Sequence, residues 1–159
     1  METIDERTER AERVIVRGLK PSDLEPVIAL DAKNTGRRRS EYFKLKLQQN
    51  LAETGIKVSL AAEIDGCFCG FLLARVYYGE FGSLEPAAVL DTLDVHPDFR
   101  RQGVGTALMA QLRKNLEALG GMRLETEVRF GDTELLGFFH RQGFRLADRL
   151  CLDLDLPVR

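Results

Sequence analysis

The stretch from Val89 to Leu108 constrains this chain more than any other. Up to Val95 it alternates, with Val89, Leu93 and Val95 set against Leu90, Thr92 and Asp94. A period of two predicts a strand, mostly buried. Pro97 ends it, because proline has no N–H to give a ladder. Gly103 and Gly105 follow, and a helix is predicted to begin there. Val104, Leu108, Leu112, Leu116 and Leu119 share one face of it, and Gly120-Gly121 close it. Strand, glycine turn, helix is an anion-binding arrangement. The first N–H groups of a helix have no partner inside it, and the dipole adds partial positive charge at the same end. Glycines carry no Cβ to keep a phosphate at a distance. Arg100 and Arg101 add full charges beside the turn, which is therefore expected to hold a phosphate or pyrophosphate.

Two common phosphate loops do not fit. A P-loop requires Gly-Lys-Ser/Thr after the glycines, and a dinucleotide fingerprint requires a third small residue where Leu108 stands. The longer string does fit a pattern. Val95-x-Pro97 followed by Arg100-x-x-Gly103-x-Gly105-Thr106 resembles the acetyl-coenzyme A signature of the GNAT acetyltransferase superfamily. The resemblance implies that the coenzyme pyrophosphate lies at Arg101, Gln102, Gly103, Val104, Gly105 and Thr106, with Arg100 beside them. It also implies that the pantetheine arm pairs with the backbone of Leu93, Asp94 and Val95.

Composition narrows the class further. A chain of 159 residues is expected to form one domain, over residues 13–159, behind a charged, flexible tail over residues 1–12. The net charge of −2 gives no reason to expect nucleic-acid binding. No apolar run reaches the length of a membrane span, and the first residues lack the apolar core of a signal peptide. Three cysteines, Cys67, Cys69 and Cys151, fit a reducing cytoplasm. Cys67-x-Cys69 has no second ligand pair to join it, and His96 and His140 are isolated, so no metal is expected.

The rest of the chain reads in order. Val14 to Arg17 form a short strand, and a helix opens at Pro21-Ser22-Asp23 and runs to about Asn34. Arg37-Arg38-Arg39 lead into a second helix with Phe43, Leu47 and Leu51 as its stripe; the arginine run is read as solvated. Val58 to Ile64 and Cys67 to Tyr78 form a hairpin across Asp65-Gly66. Arg123 to Arg129 form a strand, Glu134 to Gln142 a helix, and Phe144 to Leu146 and Leu150 to Leu156 two closing strands. The fold class is α/β. The element order is similar to the GNAT fold, which implies a central mixed, curved sheet of six to seven strands flanked by four helices.

The resemblance implies transfer of an acetyl group from acetyl-coenzyme A to a primary amine: a protein N-terminus, a lysine or a small amine. Such an amine must lose a proton before it attacks, and a positioned carboxylate can take it. Glu127-Val128-Arg129-Phe130-Gly131-Asp132 is similar to the Glu-Val-Arg-x-x-Asn segment of bacterial ribosomal-protein alanine N-acetyltransferases. There the Glu is the general base and the Asn touches the coenzyme, so the positions fall to Glu127 and Asp132; Asp132 also reads as a helix cap. Phe139 stands where that family places the tyrosine that protonates the departing thiolate, and phenylalanine has no proton to give. Asp91 is the second candidate base, read as sharing a face with Val89 and Leu93, opposite Asp94. Cys69 and Cys151 lie in apolar stretches where thiols are inert. A catalytically weak coenzyme A-binding sensor or partner subunit is the alternative that Phe139 keeps open. The alternating leucines from Leu150 to Leu156 point to a homodimer.

Overall fold

The computed structural model describes residues 1, 3–6, 9, 13–52 and 55–159. Half of the expected tail lies outside the described residues; within it, residues 4–6 are helical. The chain divides into two compact units, Met1–Glu127 and Val128–Arg159.

The first unit is built on one sheet, ordered β1-β2-β3-β4-β5. The strands are β1 (Val14–Gly18), β2 (Leu60–Ile64), β3 (Cys67–Tyr77), β4 (Ala87–Val95) and β5 (Arg123–Thr126). β1 to β4 run antiparallel and β5 pairs with β4 in parallel. The longer helices of this unit are α1 (Leu24–Thr35), α2 (Ser40–Asn50) and α3 (Val104–Ala118). α1 follows a short 3-10 turn at Pro21–Asp23. Asp23 is buried and accepts two hydrogen bonds from Arg17, at 2.7 and 2.9 Å, and one from the Lys20 N–H. Burial alone raises its carboxyl, but these donors outweigh burial and hold it below the usual carboxylate range. Gly36, at φ 74°, closes α1 in the left-handed conformation that suits glycine.

The core has two layers because neighbouring strand residues point to opposite faces. Phe71 and Leu73 of β3 pack with Val27, Ile28 and Leu30 of α1 and with Phe43 and Leu47 of α2. Gly70, just before Phe71 and on the other face, lies under α3. A Cβ there would sit 2.7 Å from Val104 Cγ1 and 3.4 Å from Leu108 Cδ1, so the helix approaches this closely only over glycine.

β4 does not keep one alternation. Leu73 pairs with Thr92 but Ala74 pairs with Leu90, leaving Asp91 as the extra residue of a bulge. The bulge overturns the expected opposition of Asp91 and Asp94. Asp94, opposite Phe71, faces the α1–α2 side and bonds Asn34 of α1, while Asp91 is ion-paired with Lys46 of α2. Both acids lie on one side of the sheet.

The second unit holds α4 (Thr133–Arg141). Asp132 caps it, its carboxylate accepting the Leu135 N–H at 3.1 Å. Phe139 is buried, with Phe138 and Phe144 rings at 5.5 and 5.0 Å from its own. After α4 no strand forms. Leu146, Leu150, Leu152, Leu154 and Leu156 are exposed, and the two expected closing strands are absent among the described residues. Alternation marks a strand only where a neighbouring edge takes up its backbone groups. The same reason shortens β5, which stops at Thr126, opposite Leu90, rather than at Arg129. The sheet thus has five strands, not six to seven, and the segment at residues 4–6 adds to the four expected helices.

Candidate functional site

β4 is paired on both sides only over Ala87 to Leu90, where β5 accompanies it. Beyond the Asp91 bulge, from Thr92 to Val95, it pairs among the described residues with β3 alone. Leu93, Asp94 and Val95, the residues expected along a pantetheine arm, therefore lie on an edge not paired by β5. Val95 does not present all its polar groups there, because its carbonyl accepts the Asn34 side-chain amide at 3.0 Å.

The turn after β4 is held in unusual backbone conformations. His96 Nδ1 accepts the Asp98 N–H at 3.1 Å and starts a 3-10 turn at Pro97–Phe99. Arg101 is at φ 62°, a left-handed conformation disfavoured for a residue with a Cβ. Gly103, at φ 81°, is the N-cap of α3 and gives it no side-chain cap. The first amides of α3, at Val104, Gly105 and Thr106, are thus left uncapped by any side chain, with Arg100 and Arg101 exposed beside them. A Cβ built on Gly103 meets nothing within 4 Å, so the approach is open. These features suit the pyrophosphate of a coenzyme A ester: uncapped amides, a dipole end and two cations.

An acid–base cluster that sequence reading missed lies behind the edge. Asp31 of α1 is 1% exposed and is held by Arg39 through two hydrogen bonds, at 2.9 and 2.6 Å. The Arg39 guanidinium lies 5.0 and 5.3 Å from the Tyr42 and Phe43 ring centres. Of the arginine run, then, Arg39 is not simply solvated: a buried carboxylate requires a partner. Arg38 pairs with Glu25 at the surface. Asp94 faces the same cluster, and burial, with the Asp31 charge next to it, pushes its carboxyl up to about 6 despite the Asn34 hydrogen bond. The sequence carried a signal for these residues. Asp31 and Asn34 continue the apolar stripe of Leu24, Val27 and Ile28 at helical spacing, and a polar residue on a buried stripe needs a partner.

Of the other candidates, Glu127 is exposed and follows β5 directly, as the last residue of the first unit. Asp132 and Phe139 belong to the second unit. Burial raises the Cys69 thiol to about 11, which leaves it inert, whereas Cys151 is exposed rather than set in an apolar strand.

The fold recurs in solved structures. A transcriptional regulator from Bacillus halodurans C-125 superposes with a TM-score of 0.75 at 16% identity, covering 90% of this chain and 99% of its own. Aminoglycoside N-acetyltransferase AAC(6')-Iy in complex with CoA gives 0.74 at 19% identity, with coverages of 89% and 94%. Ribosomal-protein-alanine N-acetyltransferase from Brucella melitensis biovar Abortus 2308 gives 0.72 at 22% identity, with coverages of 90% and 99%. At these identities the likeness is one of fold. The family model described as "Acetyltransferase (GNAT) family" matches residues 25–144, a span that takes in α1, the β3–β4 sheet, the uncapped glycine turn and α4. The chain belongs to that acetyltransferase (GNAT) family and is an acetyl-coenzyme A-dependent acetyltransferase.

Proposed function

We propose that this protein acetylates a primary amine, as one catalytic domain over residues 13–159, with Glu127 as general base. The observation that carries this reading is the half of β4 not paired by β5, leading through the turn into the uncapped start of α3. When bound, acetyl-coenzyme A supplies the activated acetyl thioester. The chain's own residues do the rest. Val104, Gly105 and Thr106 offer backbone N–H groups to the pyrophosphate, Arg100 and Arg101 add charge, and Gln102 and Gly103 shape the turn. Leu93, Asp94 and Val95 orient the pantetheine arm along the edge. The resemblance further assigns coenzyme contacts to Asp132 and Phe139. Glu127, exposed and carboxylate-bearing, takes the proton that the attacking amine must lose. Phe139 offers no proton to the departing thiolate, so water takes that role. An N-linked acceptor is supported by the similar folds named as aminoglycoside and ribosomal-protein-alanine N-acetyltransferases.

The test is Glu127→Gln assayed with a panel of amines. The amide keeps the side chain's shape but cannot accept the proton, so turnover is expected to fall about 10²–10⁴-fold, with coenzyme A binding by calorimetry unchanged. Turnover equal to the parent's across pH removes Glu127 from the mechanism and turns attention to Asp91.

A further inference from the structure

Asn34 sits near the end of α1, half-buried, and its side chain makes three hydrogen bonds to two other parts of the fold. Its Nδ2 donates to Asp94 Oδ1 and to the Val95 carbonyl, each at 3.0 Å. Its Oδ1 accepts from the Arg100 guanidinium at 3.1 Å. Donors and acceptor are all in use, so the amide cannot flip without losing all three. Arg100 itself is exposed, and among the described residues its guanidinium has no other hydrogen bond or ion pair; its long side chain has rotamer freedom that must be given up when it meets a phosphate.

We propose that Asn34 is a positioning residue for the coenzyme's phosphates, holding Arg100 from α1 against the end of β4 before the coenzyme arrives. The inference rests on the reading of residues 100–106 as the phosphate turn and adds a residue that the turn itself does not contain. A restrained guanidinium loses less freedom on meeting an oxyanion, so the gain falls on ligands that carry phosphates and not on those that lack them. The bond to Val95 ties the same amide to the strand edge, so α1, the edge and the cation keep one arrangement. Asn34 acts through Arg100 and touches no reacting atom.

A double-mutant cycle tests this. Coenzyme A is titrated calorimetrically into the parent, Asn34→Ala, Arg100→Ala and the double variant, with melting curves recorded for each. Asn34→Ser, which keeps a hydroxyl for the Val95 carbonyl, replaces Asn34→Ala if that variant fails to melt cooperatively. Each single variant is expected to weaken binding about five- to twentyfold, and the double variant no more than Arg100→Ala alone. In Asn34→Ala, the loss of turnover with S-acetylpantetheine, an acetyl donor without the nucleotide phosphates, is expected to be several-fold smaller than the loss with acetyl-coenzyme A. Additive losses, unchanged coenzyme A affinity in Asn34→Ala, or an equal loss with S-acetylpantetheine each overturn the proposal, the last by showing a purely structural role. Failure of the parent itself to bind coenzyme A overturns the phosphate turn and this inference together, whereas binding that ignores Asn34 overturns this inference alone.

Discussion

The two halves of β4 share a strand and little else. From Ala87 to Leu90 the strand has a neighbour on each side, and Ala87, Ala88 and Leu90 are at most 2% exposed. From Asp91 to Val95 it keeps, among the described residues, only β3, none of its residues is fully buried, and it carries two carboxylates on one side of the sheet. The first half is a core strand and obeys packing. The second half leaves backbone groups for something else to pair, and its acids are each answered by a side chain from α1 or α2. A strand edge left open inside a sheet is a cost to stability that persists where a ligand uses it. The contrast also separates what each half can tolerate.

The largest effect is expected in the first half. Leu90→Asp places an unpaired carboxylate at a site 2% exposed, a change worth more than about 4 kcal/mol. Against a total stability of about 5–15 kcal/mol, thermal denaturation followed by circular dichroism should show the cooperative transition greatly lowered or lost. A melting temperature near the parent's would mean that the two halves are less different than their pairing implies.

The second effect has the opposite sign. The Asp94 carboxyl titrates at about 6, above its ordinary 3.8, because burial and the nearby Asp31 disfavour its charge. Between those values the folded protein holds a proton that the unfolded chain has released. Stability therefore falls as pH rises through that window, and the cost is fully present above about pH 6. Asp94→Asn removes the charge while keeping an acceptor for Asn34, so it is expected to stabilise the protein at pH 7 by up to about 2–3 kcal/mol. The gain should vanish towards pH 4, in urea titrations run across that range. A gain independent of pH would assign the effect to packing.

The smallest effect belongs to Asp91. Its ion pair with Lys46 joins side chains that are 21% and 24% exposed, and such pairs contribute about 1 kcal/mol or less. Asp91→Asn should shift the urea midpoint only slightly, and less still at high salt.

Much of this was legible in the sequence, for reasons that differ by residue. The strand–turn–helix was readable because Pro97, Gly103 and Gly105 are local punctuation whose meaning does not depend on distant partners. The helices were readable from apolar stripes such as Val104, Leu108, Leu112 and Leu116. The Asp91 bulge was not, because a bulge is defined against the partner strand, and Leu73 and Ala74 lie far away in sequence. The partners of Asn34 were not, since its three bonds reach residues about sixty positions onward. Leu150 to Leu156 misled in the other direction: the alternation of a strand was present without the described structure giving it an edge.

The bulge has one more consequence, in how the strand can change its length. Side chains along a pleated strand alternate, so gaining or losing a single residue turns every later side chain to the opposite face. In β4 that odd residue is already present at Asp91. An insertion elsewhere in the strand would carry Leu93 and Val95 away from α3 and swing Asp94 off Asn34. Length changes in β4 that keep these contacts are therefore confined to steps of two residues, or to the bulge itself, where removing Asp91 would leave Leu90 and Thr92 opposite Ala74 and Leu73.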